Sequence, residues 1–269
     1  KKSYYKKIMN KKIKKRNFIF DKFSSSTKLL DNPIIITSPD IYRRENYDFI
    51  TKQSKKEEFF IKPFLDIFEE NKISTLCFDL DYTLKGSTNI LEERLKTNHN
   101  WIPIEYLLKH SKSKQTTKTI SILKNSIDQL LKFGGKNLLV YKKISLSEYL
   151  KPIFEDLFLE PNLPTYIHLI ELLEQHLKKI KPRSIIQVYE TGTYAKAFEI
   201  VSKKLGIKTF GIQHGLIPTD YPDYMFEEIH SKKFPFGNFI PDKTLVYGKY
   251  YKKILTEIGK YPEEKVQII

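Results

Sequence analysis

Cysteine is nearly missing from this sequence: Cys77 is alone in 269 residues. A single thiol excludes an intrachain disulfide framework and a cysteine zinc site, and a reducing, intracellular setting is the expectation. Long apolar runs are missing as well. None reaches the roughly 18 residues that a membrane-spanning helix needs, and no charged segment followed by a clean apolar stretch has the form of a secretory signal. Acids are missing from residues 1–16, "KKSYYKKIMNKKIKKR", which hold nine Lys and Arg. The whole chain carries a net +15, so the other 253 residues carry +6. Such a block is solvated or meets anionic lipid. Nucleic acid is not expected as a partner, because no motif for it accompanies the charge.

What is present is ordinary globular material. Apolar residues make up 40% of the chain, with 17 Tyr and 18 Phe. The length allows one large domain with a full hydrophobic core. Residues 1–30 read as a basic extension and 31–269 as one domain. "NPIIITSP" (32–39) and "ISTLCFDLDYTL" (73–84) read as strands bounded by turn signals, with a helix near "FFIKPFLDIFEEN" between them. Residues 85–181 read as mostly helical.

The last ninety residues alternate. "SIIQVYE" (184–190) is a strand. In "TYAKAFEIVSKKLG", Tyr194, Ala197, Phe198, Val201 and Leu205 recur at helical spacing. Thr191 or Thr193 can cap that helix, and Gly206 can end it. "KTFGIQ" is a strand, and "KTLVYG", "KYYKKILTEIG" and "KVQII" repeat the strand–helix–strand pattern. The expectation is an α/β Rossmann-like parallel sheet with helices on both faces and a helical insertion. Ligands of such sheets bind beyond the carboxyl ends of the strands. His214 stands just past one strand end and Glu190 just past another. If these strands are neighbours, imidazole and carboxylate share a crevice suited to general base work. Gly215 would let a substrate approach the backbone. Gly192 would do the same at a helix start, where free N–H groups favour an anion.

"YETGTYAKAFEIVSKKLGIKTFGIQHGLI" followed by "PDKTLVYGKYYKKILTEIGKYPEEKVQII" resembles the GT-B-fold enzymes of surface polysaccharide assembly. These are capsule-type glycosyltransferases, glycerol-phosphate polymerases and, more distantly, non-hydrolysing sugar-nucleotide 2-epimerases. The resemblance covers roughly residues 138–269. It implies the acceptor-side, N-terminal half of a GT-B fold, with a donor-binding domain expected after Ile269. The isolated half is then expected to be inactive. By resemblance His214 would deprotonate an acceptor hydroxyl, with Glu190 as the alternative base. Thr191, Gly192, Gln213 and Gly215 would line the cleft. Tyr221 and Tyr224, in the loop after His214, would either stack on a sugar or serve ordinary loop packing, and Lys249 would meet phosphate. The implied partners are a nucleotide-sugar donor and a glycan or lipid-linked acceptor at the cytoplasmic face of a membrane, without cofactor or metal. The alternatives are an epimerase-like enzyme and a non-catalytic module that binds glycan or lipid.

Three further patterns are weaker. Asp79, Asp81 and Thr83 in "STLCFDLDYTL" have the spacing of the haloacid-dehalogenase signature, but Tyr82 replaces its usual glycine and no downstream partners follow. His168 and His176 share a helix more than two turns apart, too far for one ion. "KFGGK" (132–136) lacks the strand and the Lys-Ser/Thr ending of a phosphate loop, so a helix stop is expected.

Overall fold

Short β-branched runs form the centre of the molecule. In the computed structural model, Ile34–Ser38 (β1) is buried along nearly its whole length, as befits a strand covered on both faces. The structure describes residues 32–39, 43–80, 94, 97, 99–109, 113–133, 139–158, 163–225 and 239–269. The basic block 1–16, Asp81 and Thr83, and the glycine pair at 134 and 135 lie outside these residues. The chain divides into two units, residues 1–109 with 174–269, and residues 110–173.

The first unit is an α/β Rossmann-like fold. Besides β1, its sheet contains Thr75–Asp79 (β4), Trp101–Pro103 (β5), Ser184–Val188 (β8), Lys208–Ile212 (β9), Lys243–Val246 (β10) and Val266–Ile268 (β11). The order across the sheet is β5-β4-β1-β8-β9-β10-β11, and every pairing is parallel. The chain therefore runs outward from β1 to β5, then restarts at β8 on the other side of β1. That reversal, between β1 and β8, is the switch point of a doubly wound sheet.

Helix Lys62–Glu70 (α1) begins with Pro63 in its first turn, where a missing N–H costs nothing. Ile61 and Leu65 pack with Ile36, Cys77, Trp101, Ile186, Val188 and Ile212 in one core cluster. Helix Thr193–Leu205 (α5) buries Ala195, Ala197, Phe198 and Val201. It ends at Gly206, whose left-handed φ of 69° supplies the helix stop read from the sequence. Its first residue follows Gly192, and neither Thr191 nor Thr193 makes a side-chain cap. Helix Lys249–Lys253 (α6) continues as a π-helical turn, Ile254–Ile258. A Cβ on Gly259 would lie 2.5 Å from the Tyr224 carbonyl oxygen, so glycine there lets the loop after β9 close onto this turn. Ile217, Tyr224, Ile240, Val246, Leu255 and Val266 form the core beneath it.

Two elements of this unit differ from the sequence reading. The polar stretch after β1 is an antiparallel ribbon, Arg43–Asp48 (β2) with Gln53–Glu58 (β3). The Asp48 carboxylate closes its turn by accepting from the Ile50 and Thr51 amides at 2.8 and 3.3 Å. The stretch expected to be mostly helical also contributes β5 to the main sheet.

The second unit is mainly helical. Lys114–Phe133 (α2) starts at Ser113, whose Oγ accepts from the Thr116 amide at 3.0 Å. Ser113 and Thr116 both donate to Glu171. A two-residue hairpin, Val140–Tyr141 (β6) with Ile144–Ser145 (β7), leads into Ser147–Leu157 (α3). Helix Leu163–Ile180 (α4) has its first half in this unit and its second half in the other. Among the described residues, no helix is long and apolar enough to cross a membrane.

Candidate active site

The register of β8 and β9 brings the two expected residues together. Val188 pairs with Ile212, and Glu190 and His214 each follow two residues later on neighbouring parallel strands. His214 Nδ1 lies 4.0 Å from Glu190 Oε2. The carboxylate is fully buried, while the imidazole keeps 16% of its side-chain surface exposed. An incoming molecule therefore meets the ring first, with the carboxylate behind it.

Gly211 makes room for that carboxylate. A Cβ there would stand 3.0 Å from Glu190 Cγ and 2.9 Å from Pro241 Cγ. Burial pushes the Glu190 carboxyl up to about 7, against the opposing pull of Lys196 and the Tyr224 hydroxyl. Burial also lowers His214, to about 4. Near neutral pH the ring is thus uncharged, and burial opposes its protonation, while the carboxyl behind it sits close to its own titration point.

Beneath the pair lies a second buried acid, Glu199 of α5. It accepts from Gln187 of β8 and, at 3.0 Å, from Thr209 of β9. Burial raises it to about 7. Lys196, one turn earlier, is lowered by burial and donates to the Phe239 carbonyl at 2.6 Å. Neither residue was picked out from the sequence. The available signal was a charge within an apolar helical stripe, since Glu199 falls between Phe198 and Val201.

The remaining sequence candidates divide. Thr191 is buried at the strand end beside Glu190, and Gly192 begins α5. Gly192 has a packing reason of its own, because a Cβ there would be 2.7 Å from the Tyr189 ring. Gln213 is a clip: its Nε2 donates to the Gly215 carbonyl at 2.7 Å, and its Oε1 accepts from the Tyr247 amide at 2.8 Å. It fixes the turn carrying His214, and at 1% exposure it presents almost nothing to a substrate. Gly215 has open space on its Cβ side, with nothing within 4 Å. Tyr221 is half-buried and packs against Tyr224 at 5.8 Å. Tyr224 itself is a core residue, 2% exposed, and so is not placed to stack on a sugar. Lys249 is exposed at the start of α6.

Asp79 ends β4 fully buried, 2.9 Å from the Arg94 guanidinium. Arg94 also bonds Glu58 at 2.8 and 3.0 Å and covers Trp101 at 3.9 Å. Glu58 is paired in turn with Arg43 at 3.3 Å. This network fastens the β2–β3 ribbon to the end of β4 and gives Asp79 a place in the fold. Among the described residues, no group of three or more His, Cys, Asp or Glu could hold a metal ion.

The comparisons with known proteins add no relative: no family model matches the chain, and no curated protein matches it.

Proposed function

We propose that the chain is the acceptor-binding half of a nucleotide-sugar-dependent glycosyltransferase, acting in surface polysaccharide or glycolipid synthesis, with His214 as general base. The reading rests on the resemblance of residues 138–269 to GT-B enzymes and on one geometric observation. That observation is an exposed imidazole edge backed at 4.0 Å by a buried carboxylate, at the carboxyl ends of adjacent strands.

The chemistry assigned to the pair is economical. The acceptor hydroxyl gives its proton to His214 as its oxygen attacks the anomeric carbon, and the nucleotide leaves with the bonding electrons. The ring becomes an imidazolium at that moment. An ionised Glu190 behind Nδ1 favours the charged ring through a low-dielectric gap. The 4.0 Å separation exceeds a hydrogen bond, and resting sites commonly tighten only when substrate is bound. Inverting transfer follows from direct displacement of this kind.

A second reading makes Glu190 the base, favoured because its carboxyl titrates nearer neutral pH than the ring does. Its complete burial argues against direct contact with an acceptor. The test is nucleotide release from a panel of nucleotide sugars, with membrane extract as acceptor, measured on the full-length gene product. Acceptor-dependent release that collapses at least a hundredfold in a folded His214→Ala supports the first reading. Release that survives moves the base to Glu190, isomerised nucleotide sugar identifies an epimerase, and no turnover with any donor leaves a binding module.

A further inference from the structure

We infer that Tyr189 is the positioning residue of the site: its left-handed backbone turns Glu190 behind the imidazole, and its ring holds His214 in place. The inference rests on the reading of the Glu190–His214 pair as the reacting site, and it adds a residue that the sequence motif did not mark.

The backbone argument comes from strand alternation. Residues paired in a parallel register share a face, and the face changes at every step along a strand. Gln187 pairs with Gly211, and Gln187 and Thr209 both bond Glu199 of α5. That face is therefore the α5 face. Glu190 comes three residues after Gln187, so a regular strand would send it to the opposite face. Yet the Cβ position of Gly211 is 3.0 Å from Glu190 Cγ and 3.1 Å from Cδ, which puts the carboxylate on the α5 face. The reversal occurs at Tyr189, whose φ is +67°. Bulky side chains seldom adopt that conformation, and such strain is retained where the surroundings enforce it.

The ring argument is independent. Tyr189 meets His214 edge to face, with centroids 5.0 Å apart and planes at 82°. Its other side rests on Gly192, where a Cβ would come within 2.7 Å of both Cδ1 and Cε1. The ring is thus wedged between a glycine and the imidazole. With that wall present, the imidazole keeps Nδ1 toward Glu190 and exposes only one edge.

The test uses the full-length protein with labelled histidine, His214 being assigned by comparison with His214→Asn. Tyr189→Gly removes the ring and tolerates a positive φ, so the backbone is spared. Tyr189→Phe keeps the ring. NMR titration should show His214 below the ordinary histidine value with one tautomer in wild type and in Tyr189→Phe. In Tyr189→Gly the titration should rise by at least one pH unit and the two tautomers should mix. Transfer should fall at least tenfold in kcat for Tyr189→Gly, with KM for acceptor within threefold of wild type, and should recover in Tyr189→Phe. An unchanged titration in Tyr189→Gly with a native unfolding midpoint overturns the inference. So does an equal loss of kcat in Tyr189→Phe, which would assign the role to the hydroxyl. If wild type transfers no sugar but the titration moves as described, the glycosyltransferase reading fails and the positioning of His214 by Tyr189 stands.

Discussion

Replacing Glu190 with glutamine should make the fold progressively more stable than wild type as pH rises from 5 to 8. The Glu190 carboxyl has an ordinary value of 4.5 and rises to about 7 on burial. A carboxyl raised in this way holds its proton more tightly in the folded state. Its stabilising contribution is therefore complete below the unfolded value and is lost as pH climbs through the folded one. The full difference corresponds to about 3 kcal/mol, of which about 2.5 kcal/mol develops between pH 5 and pH 8. No allowance for solvent screening is needed, because the side chain is fully buried. Glutamine keeps the shape and cannot ionise. Urea unfolding of both proteins at pH 5 and pH 8 isolates this group, because the other titrating residues are common to the pair. The stability of Glu190→Gln relative to wild type should grow by about 2.5 kcal/mol between the two pH values. Growth below about 0.5 kcal/mol, or a change of the opposite sign, would refute the claim that this carboxyl is buried at the cost of its charge.

Three further outcomes follow from the same geometry. If the proposed transfer is the activity, its kcat/KM should rise with pH through about 7 as Glu190 ionises behind the ring, and Glu190→Gln should lower the rate and flatten that limb; a wild-type profile flat from pH 5 to 9 would count against the pair. Gly211→Ala should destabilise by about 1–3 kcal/mol by overpacking, since its methyl would stand 2.9 Å from Pro241 and 3.0 Å from Glu190; an unchanged urea midpoint would show that the neighbours give way freely. Arg94→Met should cost about 3–5 kcal/mol by leaving Asp79 and Glu58 buried beside an uncharged chain, a loss that thermal or urea unfolding would detect.

The parts of the fold that were legible are those carried by local periodicity. The apolar runs of β1, β4, β8 and β9 and the 3.6-residue stripe of α5 point to alternating strands and helices, and Gly206 marks the helix stop. From strand–helix–strand order alone, β8 and β9 can be expected to lie side by side, which places Glu190 and His214 at neighbouring strand ends. The β2–β3 ribbon was not legible, because β2 exposes five of its six residues and so has no apolar alternation. Strand β5 has three residues, too few for a period to register.

The site divides along the same line. Sequence alone determined that an imidazole and a carboxylate end successive strands of a wound sheet, because hydrophobic period and chain order are local properties. Tertiary structure decided which face Glu190 takes, through the left-handed turn at Tyr189. It made Gly211 a cavity for a carboxylate, turned Gln213 inward as a clip, and sank Glu199 between α5 and the sheet. It also tied Asp79 to Arg94. Each of these depends on what lies across a strand pair or beneath a helix, and such neighbours are distant in sequence and set only when the layers pack.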